Sequence, residues 1–265
     1  MDIIILKDSE QVAITGSRHI QNLLGTKPDA VLGLATGRTP LALYKKLVSA
    51  CEKKMVSFRD ATTFNLDEYI GVRPEDMQSY RSYMRRELFE NIDIRPNNTF
   101  LPECVDGESP FDVGPRYEER IRAAGGIDLQ VLGIGQNGHI GFNEPTSSLR
   151  SRTRIKTLTR ETVANNRQYF DDPDSQPQLA ITMGIATIMD AREILLLATG
   201  DEKAEAVQQS IEGPLSSLWP ASILQMHERV TVLLDESAAS SLERRDYYRW
   251  VQDQKQLLLV QKGDT

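Results

Sequence analysis

Short apolar runs alternate with helix-period segments along most of the chain. Ile3 to Leu6 is a compact apolar run, and Val12, Ile20 and Leu24 then follow at helical spacing behind Ser9, which the pattern makes the N-cap. Ala30 to Ala35 (AVLGLA) reads as a buried strand. Leu43, Leu47 and Cys51, four apart, form the apolar face of the next helix and put Cys51 in the core. Thr62 to Leu66 is strand-like, Tyr80 to Leu88 and Arg116 to Ala124 are helical, and Ile127 to Ile134 (IDLQVLGI) is the clearest strand. Ile194 to Ala198 is a further strand. A helix with Ala204, Val207 and Ile211 on one face follows it, and Val230 to Leu234 is a last core strand. Residues 102–115, rich in Pro, Gly and acid, read as a surface loop.

Strands that are apolar throughout and separated by helices need cover on both faces. The predicted fold is therefore α/β: an open doubly wound, mostly parallel sheet flanked by helices as a three-layer sandwich, in a single domain over residues 1–265. No internal repeat or interdomain linker is visible. The tail, Gln252 to Thr265, is read as either mobile or packed on a neighbour.

Composition narrows the function. A chain of 265 residues buries roughly 70–75% of its unfolded surface without any staple, and 40% hydrophobic with 26% charged residues is ordinary for a globular protein. Thirty-one Lys and Arg against 38 Asp and Glu give a net charge of −7. That excludes a general nucleic-acid binder but leaves room for a small anionic substrate, which a few local cations can hold. Two cysteines, Cys51 and Cys104, make neither a disulfide framework nor a zinc site and fit free thiols in a reducing compartment. The N-terminus has no basic n-region with an apolar h-region, and no run approaches ~18 apolar residues. The expectation is a cytoplasmic protein with no membrane partner.

Ligands of an open parallel sheet bind beyond the carboxyl ends of its strands, so the residues after each strand carry the chemistry. Thr36-Gly37-Arg38-Thr39 lies between a strand and a helix. Its backbone amides, hydroxyls and guanidinium suit a phosphate, although the spaced glycines and Lys-Ser/Thr pair of a Walker A loop are missing; the other reading is a tight turn with an ordinary cap. Asp67 and Glu68, at a strand end, offer a general base, best with its pKa raised by burial, or else a helix start or a solvated acidic pair. In Gly133-Ile134-Gly135-Gln136-Asn137-Gly138-His139-Ile140-Gly141-Phe142-Asn143-Glu144-Pro145, His139 precedes Glu144 by five residues. A histidine held by a carboxylate is a proton shuttle near neutral pH; the alternative is a histidine that closes a loop. GxGxxG occurs here, but its His-x-x-x-x-Glu-Pro continuation does not look like a helix start, so it is not a dinucleotide fingerprint. Lys203 stands in the first turn of a helix, where a cation opposes the dipole unless an anion joins it. Arg167 is another scattered cation. His19 and His227 read as structural or exposed.

LGLATGRTP, TFNLDEYIG, LGIGQNGHIGFNEP, SRTRIKTL and the segment Gly200-Asp201-Glu202-Lys203-Ala204 resemble, in order and over about residues 1–250, the glucosamine-6-phosphate deaminases. The related 6-phosphogluconolactonases share the Gly-His turn but lack FNEP. The resemblance implies conversion of glucosamine 6-phosphate and water to fructose 6-phosphate and ammonia in amino sugar catabolism, with no metal or organic cofactor. It implies Asp67 as the base that moves a proton between C2 and C1, and His139 as the group that assists ring opening, oriented by Glu144 and Asn137. It places the phosphate on Thr36, Gly37, Arg38 and Thr39, with Arg167 and Lys203 as counter-charges. Two positions depart from some members: Asn137 stands where a subset carries Asp, which leaves Glu144 the larger role, and Arg38 stands where Gly or Ser is common.

The family includes hexamers activated by N-acetylglucosamine 6-phosphate. Ser147, Arg154, Lys156, Thr157 and Tyr247 match that second phosphate pocket, and the resemblance implies a homohexamer with the pocket at subunit boundaries. Three other readings compete: a lactonase, which needs no carbon base; a sugar-phosphate sensor domain, disfavoured by the acidic charge and the lack of a helix-turn-helix segment; and a deaminase for another amino sugar phosphate, such as the galactosamine isomer.

Overall fold

The computed structural model describes residues 1–104, 107–166 and 176–263. Its strands in chain order are β1 (Asp2–Leu6), β2 (Val31–Leu34), β3 (Thr62–Asn65), β4 (Asp67–Tyr69), β5 (Thr99–Phe100), β6 (Leu129–Leu132), β7 (Arg154–Thr157), β8 (Leu179–Thr182), β9 (Ile194–Ala198) and β10 (Val230–Asp235). The helices are α1 (Ser9–Thr26), α2 (Arg38–Glu52), α3 (Tyr80–Glu87), α4 (Pro110–Ala123), α5 (Arg160–Asn166), α6 (Ile185–Met189), α7 (Ala204–Ile211) and α8 (Arg245–Gly263). Seven strands form one wholly parallel sheet in the order β1-β10-β9-β6-β2-β3-β5.

Alternation along β9 shows why the sheet is covered twice. Ile194, Leu196 and Ala198 belong to one apolar cluster with Tyr117 and Ile121 of α4, Ile188 of α6 and Val207 of α7. Leu195 and Leu197 belong to the other, with Val12 and Ile20 of α1, Leu43 and Leu47 of α2 and Met84 of α3. Successive side chains of a strand point to opposite faces, so a strand that is apolar at every position needs helices on both. Each such side chain contributes roughly 1.5–3 kcal/mol when fully buried.

One polar exception is Gln130 in β6, which is fully buried opposite Gly33 of β2. A Cβ on Gly33 would lie 2.1 Å from Gln130 Oε1, so the glycine makes the room that the glutamine fills.

A second sheet departs from the predicted architecture. β4, β8 and β7 pair antiparallel, with Asp67 opposite Thr182 and Arg154 also opposite Thr182 on the far side. One residue, Leu66, separates β3 from β4. Its N–H still bonds Leu34 O of the main sheet, while its carbonyl accepts from Met183 N beside the small sheet. Asp67 is therefore the first residue past the point where the sheets part.

Three local expectations change. Asp8, not Ser9, caps α1, because its Oδ1 accepts from Gln11 N at 2.9 Å. The loop predicted over 102–115 becomes helix at Pro110: Ser109 caps α4, and Pro at a first-turn position loses no intrahelical hydrogen bond. Cys51 sits at the rim of the core, half-buried, with its thiol 3.5 Å from Asp93 Oδ1. Residues 252–263 continue α8, whose start anchors through Tyr248 against the core while the helix packs on β1. No described helix is long and apolar enough to cross a membrane.

Candidate active site

The strand order reverses between β2 and β6. From β2 the chain winds outward through β3 and β5; from β6 it winds the other way through β9 and β10. A cleft of ≈ 1290 Å³ opens at the carboxyl ends across this switch. It is lined by the turns that follow β2, β6 and β9 and by Asp67.

Asp67 and Glu68 are neighbours in sequence, but the pleat of β4 sends them to opposite faces. Asp67, 6% exposed, lines the cleft, and the position a Cβ would take on Gly141 is 3.4 Å from its Oδ2. Burial, with the Glu68 charge adding to it, raises the Asp67 pKa to about 8. Glu68, 2% exposed, turns away: its carboxylate accepts from Tyr69 N (2.9 Å), Tyr80 N (3.0 Å) and Arg81 N (2.9 Å). Of the pair offered by the sequence, only Asp67 faces the cavity.

The turn after β6 holds His139. Gly138 adopts φ +77°, a conformation L side chains rarely take, and a Cβ there would also meet Trp219 Cε3 at 2.8 Å. A Cβ on Gly135 would lie 2.2 Å from His139 Cε1, so the ring rests against bare backbone. His139 Nδ1 is 3.3 Å from Glu144 Oε2, and Asn137 Nδ2 donates to that same oxygen at 2.9 Å. Asn137 Oδ1 accepts from His139 N at 3.2 Å, so Asn137 bridges the histidine backbone to the carboxylate. The Thr162 hydroxyl donates to Glu144 Oε1, with Thr159 Oγ1 at 3.4 Å. Burial by itself would raise the Glu144 pKa, but His139 and the hydrogen bonds from Thr162 and Asn137 outweigh it and lower the pKa to about 2.

The opposite wall of the cleft is cationic. Gly37 is the N-cap of α2 and no side chain caps that helix end. Thr36, Gly37, Arg38 and Thr39 all line the cleft with Lys203. Lys203 closes a 3-10 turn, Asp201–Lys203, and is the N-cap of α7 rather than a residue inside its first turn. Burial lowers its pKa; Glu202 opposes that and the nearby Arg38 charge adds to it. Thr39 Oγ1 and Thr199 Oγ1 lie 3.2 Å apart, which ties the turn after β2 to the turn after β9. Two cations, threonine hydroxyls and an uncapped helix start suit a phosphate dianion.

The remaining predicted residues separate. Arg167 lies outside the described residues. Ser147 is buried in a turn, its N–H on Glu144 O. Arg154 and Lys156 are half-buried on one face of β7, with Thr157 exposed, and Arg154 Nη1 donates to Asn143 Oδ1 at 2.9 Å. Tyr247 is exposed on α8, stacked on Trp250. β7 packs chiefly against β8 and α4, and α8 against β1, so the segments that carry these residues have their main contacts on different elements.

His19 bonds Glu193 (2.7 Å). His227 Nδ1 accepts from Arg229 N and its Nε2 lies 2.8 Å from Ala191 O; both histidines are structural. Sequence reasoning missed the Thr159 and Thr162 clamp on Glu144 and the cap made by Glu68. The Thr159-x-x-Thr162 spacing at a helix start was a visible signal for the first. Nothing local signalled the second, because Glu68 and Arg81 meet only in the folded chain.

Among the described residues no group of three or more His, Cys, Asp or Glu gathers to hold a metal ion. The model of the family described as glucosamine-6-phosphate isomerases/6-phosphogluconolactonase matches residues 9–233. A glucosamine-6-phosphate deaminase of Hahella chejuensis is 55% identical over 254 residues, 96% of this chain and 97% of the relative. A solved glucosamine-6-phosphate deaminase, described as monomeric, superposes with a TM-score of 0.88 at 43% identity, over 91% of this chain and all of that one. The 6-phosphogluconolactonase of Trypanosoma brucei shares the fold at a TM-score of 0.72 and 21% identity, over 91% of this chain and 98% of its own. With the switch-point cleft, the Asp67 carboxylate and the His139–Glu144 pair in place, the chain belongs to the glucosamine-6-phosphate isomerase/6-phosphogluconolactonase family.

Proposed function

We propose that this protein converts glucosamine 6-phosphate and water to fructose 6-phosphate and ammonia. The observation that carries the reading is the division of the cleft: a buried carboxylate of raised pKa, Asp67, and a separate histidine–carboxylate pair, with a cationic end to anchor phosphate. A lactone hydrolase needs no base for a carbon-bound proton, and Asp67 is what such a base requires.

His139 relays a proton from the C1 hydroxyl to the ring oxygen, which breaks the C1–O5 bond and leaves the open-chain aldehyde. Asp67 takes the C2 proton, and the electron pair passes through C1 to the aldehyde oxygen, which gains a proton to form an enolamine. The proton held by Asp67 goes to C1, leaving an iminium at C2. Water adds to C2, nitrogen departs as ammonia, and the C2 carbonyl of fructose 6-phosphate remains. Each positioned acid or base supplies roughly 10²–10⁴-fold, and the phosphate anchor on Thr36 to Thr39, Arg38, Arg167 and Lys203 fixes C2 against Asp67. Glu144, held ionised, and Asn137 orient the His139 ring.

The protein works in the cytoplasm as a homohexamer, and N-acetylglucosamine 6-phosphate activates it at Ser147, Arg154, Lys156 and Thr157. Tyr247 then comes from a second subunit, because β7 and α8 pack on different elements. Arg154 supports this reading through Asn143, whose amide also bonds Ile140 O and Met183 O beside the catalytic turn.

The test is release of ammonia and fructose 6-phosphate from glucosamine 6-phosphate, with and without the N-acetyl sugar phosphate, beside Asp67→Asn. Stoichiometric release that Asp67→Asn abolishes supports the deaminase and its base. Release from gluconolactone 6-phosphate alone would move the protein to the lactonases, and hyperbolic curves unmoved by the N-acetyl compound would remove the activator pocket. Sedimentation velocity reads the oligomer directly.

A further inference from the structure

Glu68 is nearly fully buried and takes no direct part in the deamination chemistry. Its three hydrogen bonds all come from backbone N–H groups, and two of them, Tyr80 N and Arg81 N, are the first two amides of α3. The third amide, Ser82 N, goes to Ser79 Oγ at 3.0 Å. All three first-turn donors of α3 are thus satisfied, two of them by a carboxylate from another element.

α3 in turn touches the phosphate end of the cleft. The Tyr80 and Thr36 hydroxyls share a hydrogen bond, and Tyr83 OH donates to Gly37 O at 2.9 Å. Tyr80 also packs on Tyr69 (centroids 4.8 Å) and Phe142 (6.1 Å), the aromatic cluster beside Asp67. Glu68 is one residue from the base, and through α3 two contacts from the turn that would hold the phosphate.

We propose that Glu68 is a positioning residue. It fixes the spacing between the carbon base and the phosphate turn by capping α3, and it keeps a negative charge directly behind Asp67. This rests on the reading of Asp67 as base. Burial raises the Glu68 pKa to about 7 although the three amides pull it down, so above that pH Glu68 carries a charge that disfavours ionisation of Asp67. Among the described residues, the titratable groups around Glu68 are Asp67 and Tyr69 on β4, Tyr80 and Arg81 on α3, and Glu103, which pairs with Arg81. Those around Asp67 are Glu68, Tyr80 and Tyr117.

Two variants weight charge and reach differently. Glu68→Gln keeps the length, loses the charge and, because an amide nitrogen cannot accept, leaves one carboxylate oxygen's share of the amides unpaired; Glu68→Asp keeps the charge and falls one methylene short of the amides. The full chain is assayed for deamination across pH, with inorganic phosphate as a competitive inhibitor. In Glu68→Gln the acid limb of kcat/KM moves to lower pH, because less negative charge opposes Asp67 ionisation. In Glu68→Asp that limb stays, while KM and the phosphate inhibition constant rise about fivefold, the equivalent of one hydrogen bond. If Glu68→Gln keeps the wild-type limb and Glu68→Asp keeps the wild-type KM and phosphate inhibition constant, the inference is overturned. Should Glu68→Gln fail to fold, Glu68→Asp decides by KM and phosphate inhibition alone. Failure of the wild type to deaminate would instead sink the reading of Asp67, so the two failures are distinct.

Discussion

Asp67 must be ionised to act as a base, so kcat/KM should fall as pH drops through its pKa of about 8, well above the ordinary carboxylate range. The same shift has a stability consequence. Its folded pKa lies above the unfolded value of 3.8, so folding favours the protonated form. The contribution to stability is full below pH 3.8 and is lost as pH rises through about 8. Asp67→Asn should therefore abolish deamination and raise Tm relative to wild type at pH 8.5, with the difference gone near pH 4; equal Tm values at both pH values would contradict the burial argument. Lys203→Ala tests the other end of the cleft. A lysine that holds phosphate equally in ground and transition states should show a KM raised about tenfold or more with a smaller change in kcat, and an unchanged KM would remove it from the phosphate site.

At the scale of the element, the turn after β6 works because glycine lets the His139 ring lie on backbone. Gly135→Ala asks for no special φ, yet its Cβ would fall 2.2 Å from His139 Cε1. The ring has to move, and a displacement of about 1 Å costs on the order of 10²-fold in rate. The expected result is a loss in kcat of that order with an unchanged far-UV circular dichroism spectrum. Helix α1 offers the control. Its cap by Asp8 is exposed and does not itself line the cleft, so Asp8→Ala should lower stability by about 1 kcal/mol in urea unfolding with far smaller changes in kcat and KM than Gly135→Ala gives. How much of each element the residues announce varies with its length and burial. Residues 194–198 and 31–34 show themselves because five and four successive buried positions cannot be surface. β5, with two residues, and β8, with an exposed Leu179 at its start, carry too little pattern to be seen.

The whole molecule is two wound halves joined between β2 and β6, and that seam is also the floor of the cleft. Gly33 and Gln130 interlock across it. Gly33→Ala should overpack the seam and cost about 1–3 kcal/mol. Gln130→Ala should recover part of that loss in the double variant, because the two positions share one space. Additive losses would mean that the seam relaxes independently on each side.

The sequence by itself determined the long strands of the parallel sheet, the helices between them and several of the residues that end up around the cleft, because periods of 2 and 3.6 and the turn glycines are local properties. It also singled out Asp67, His139, Glu144 and Lys203 as candidates. Only the tertiary structure decided which of two adjacent carboxylates faces the cavity, that Glu68 caps a helix twelve residues away, and that Thr162 holds Glu144. Strand pairing and pleat direction set those choices: β4 leaves the main sheet at Leu66 and pairs with β8, more than a hundred residues on, and no local window of sequence contains that register.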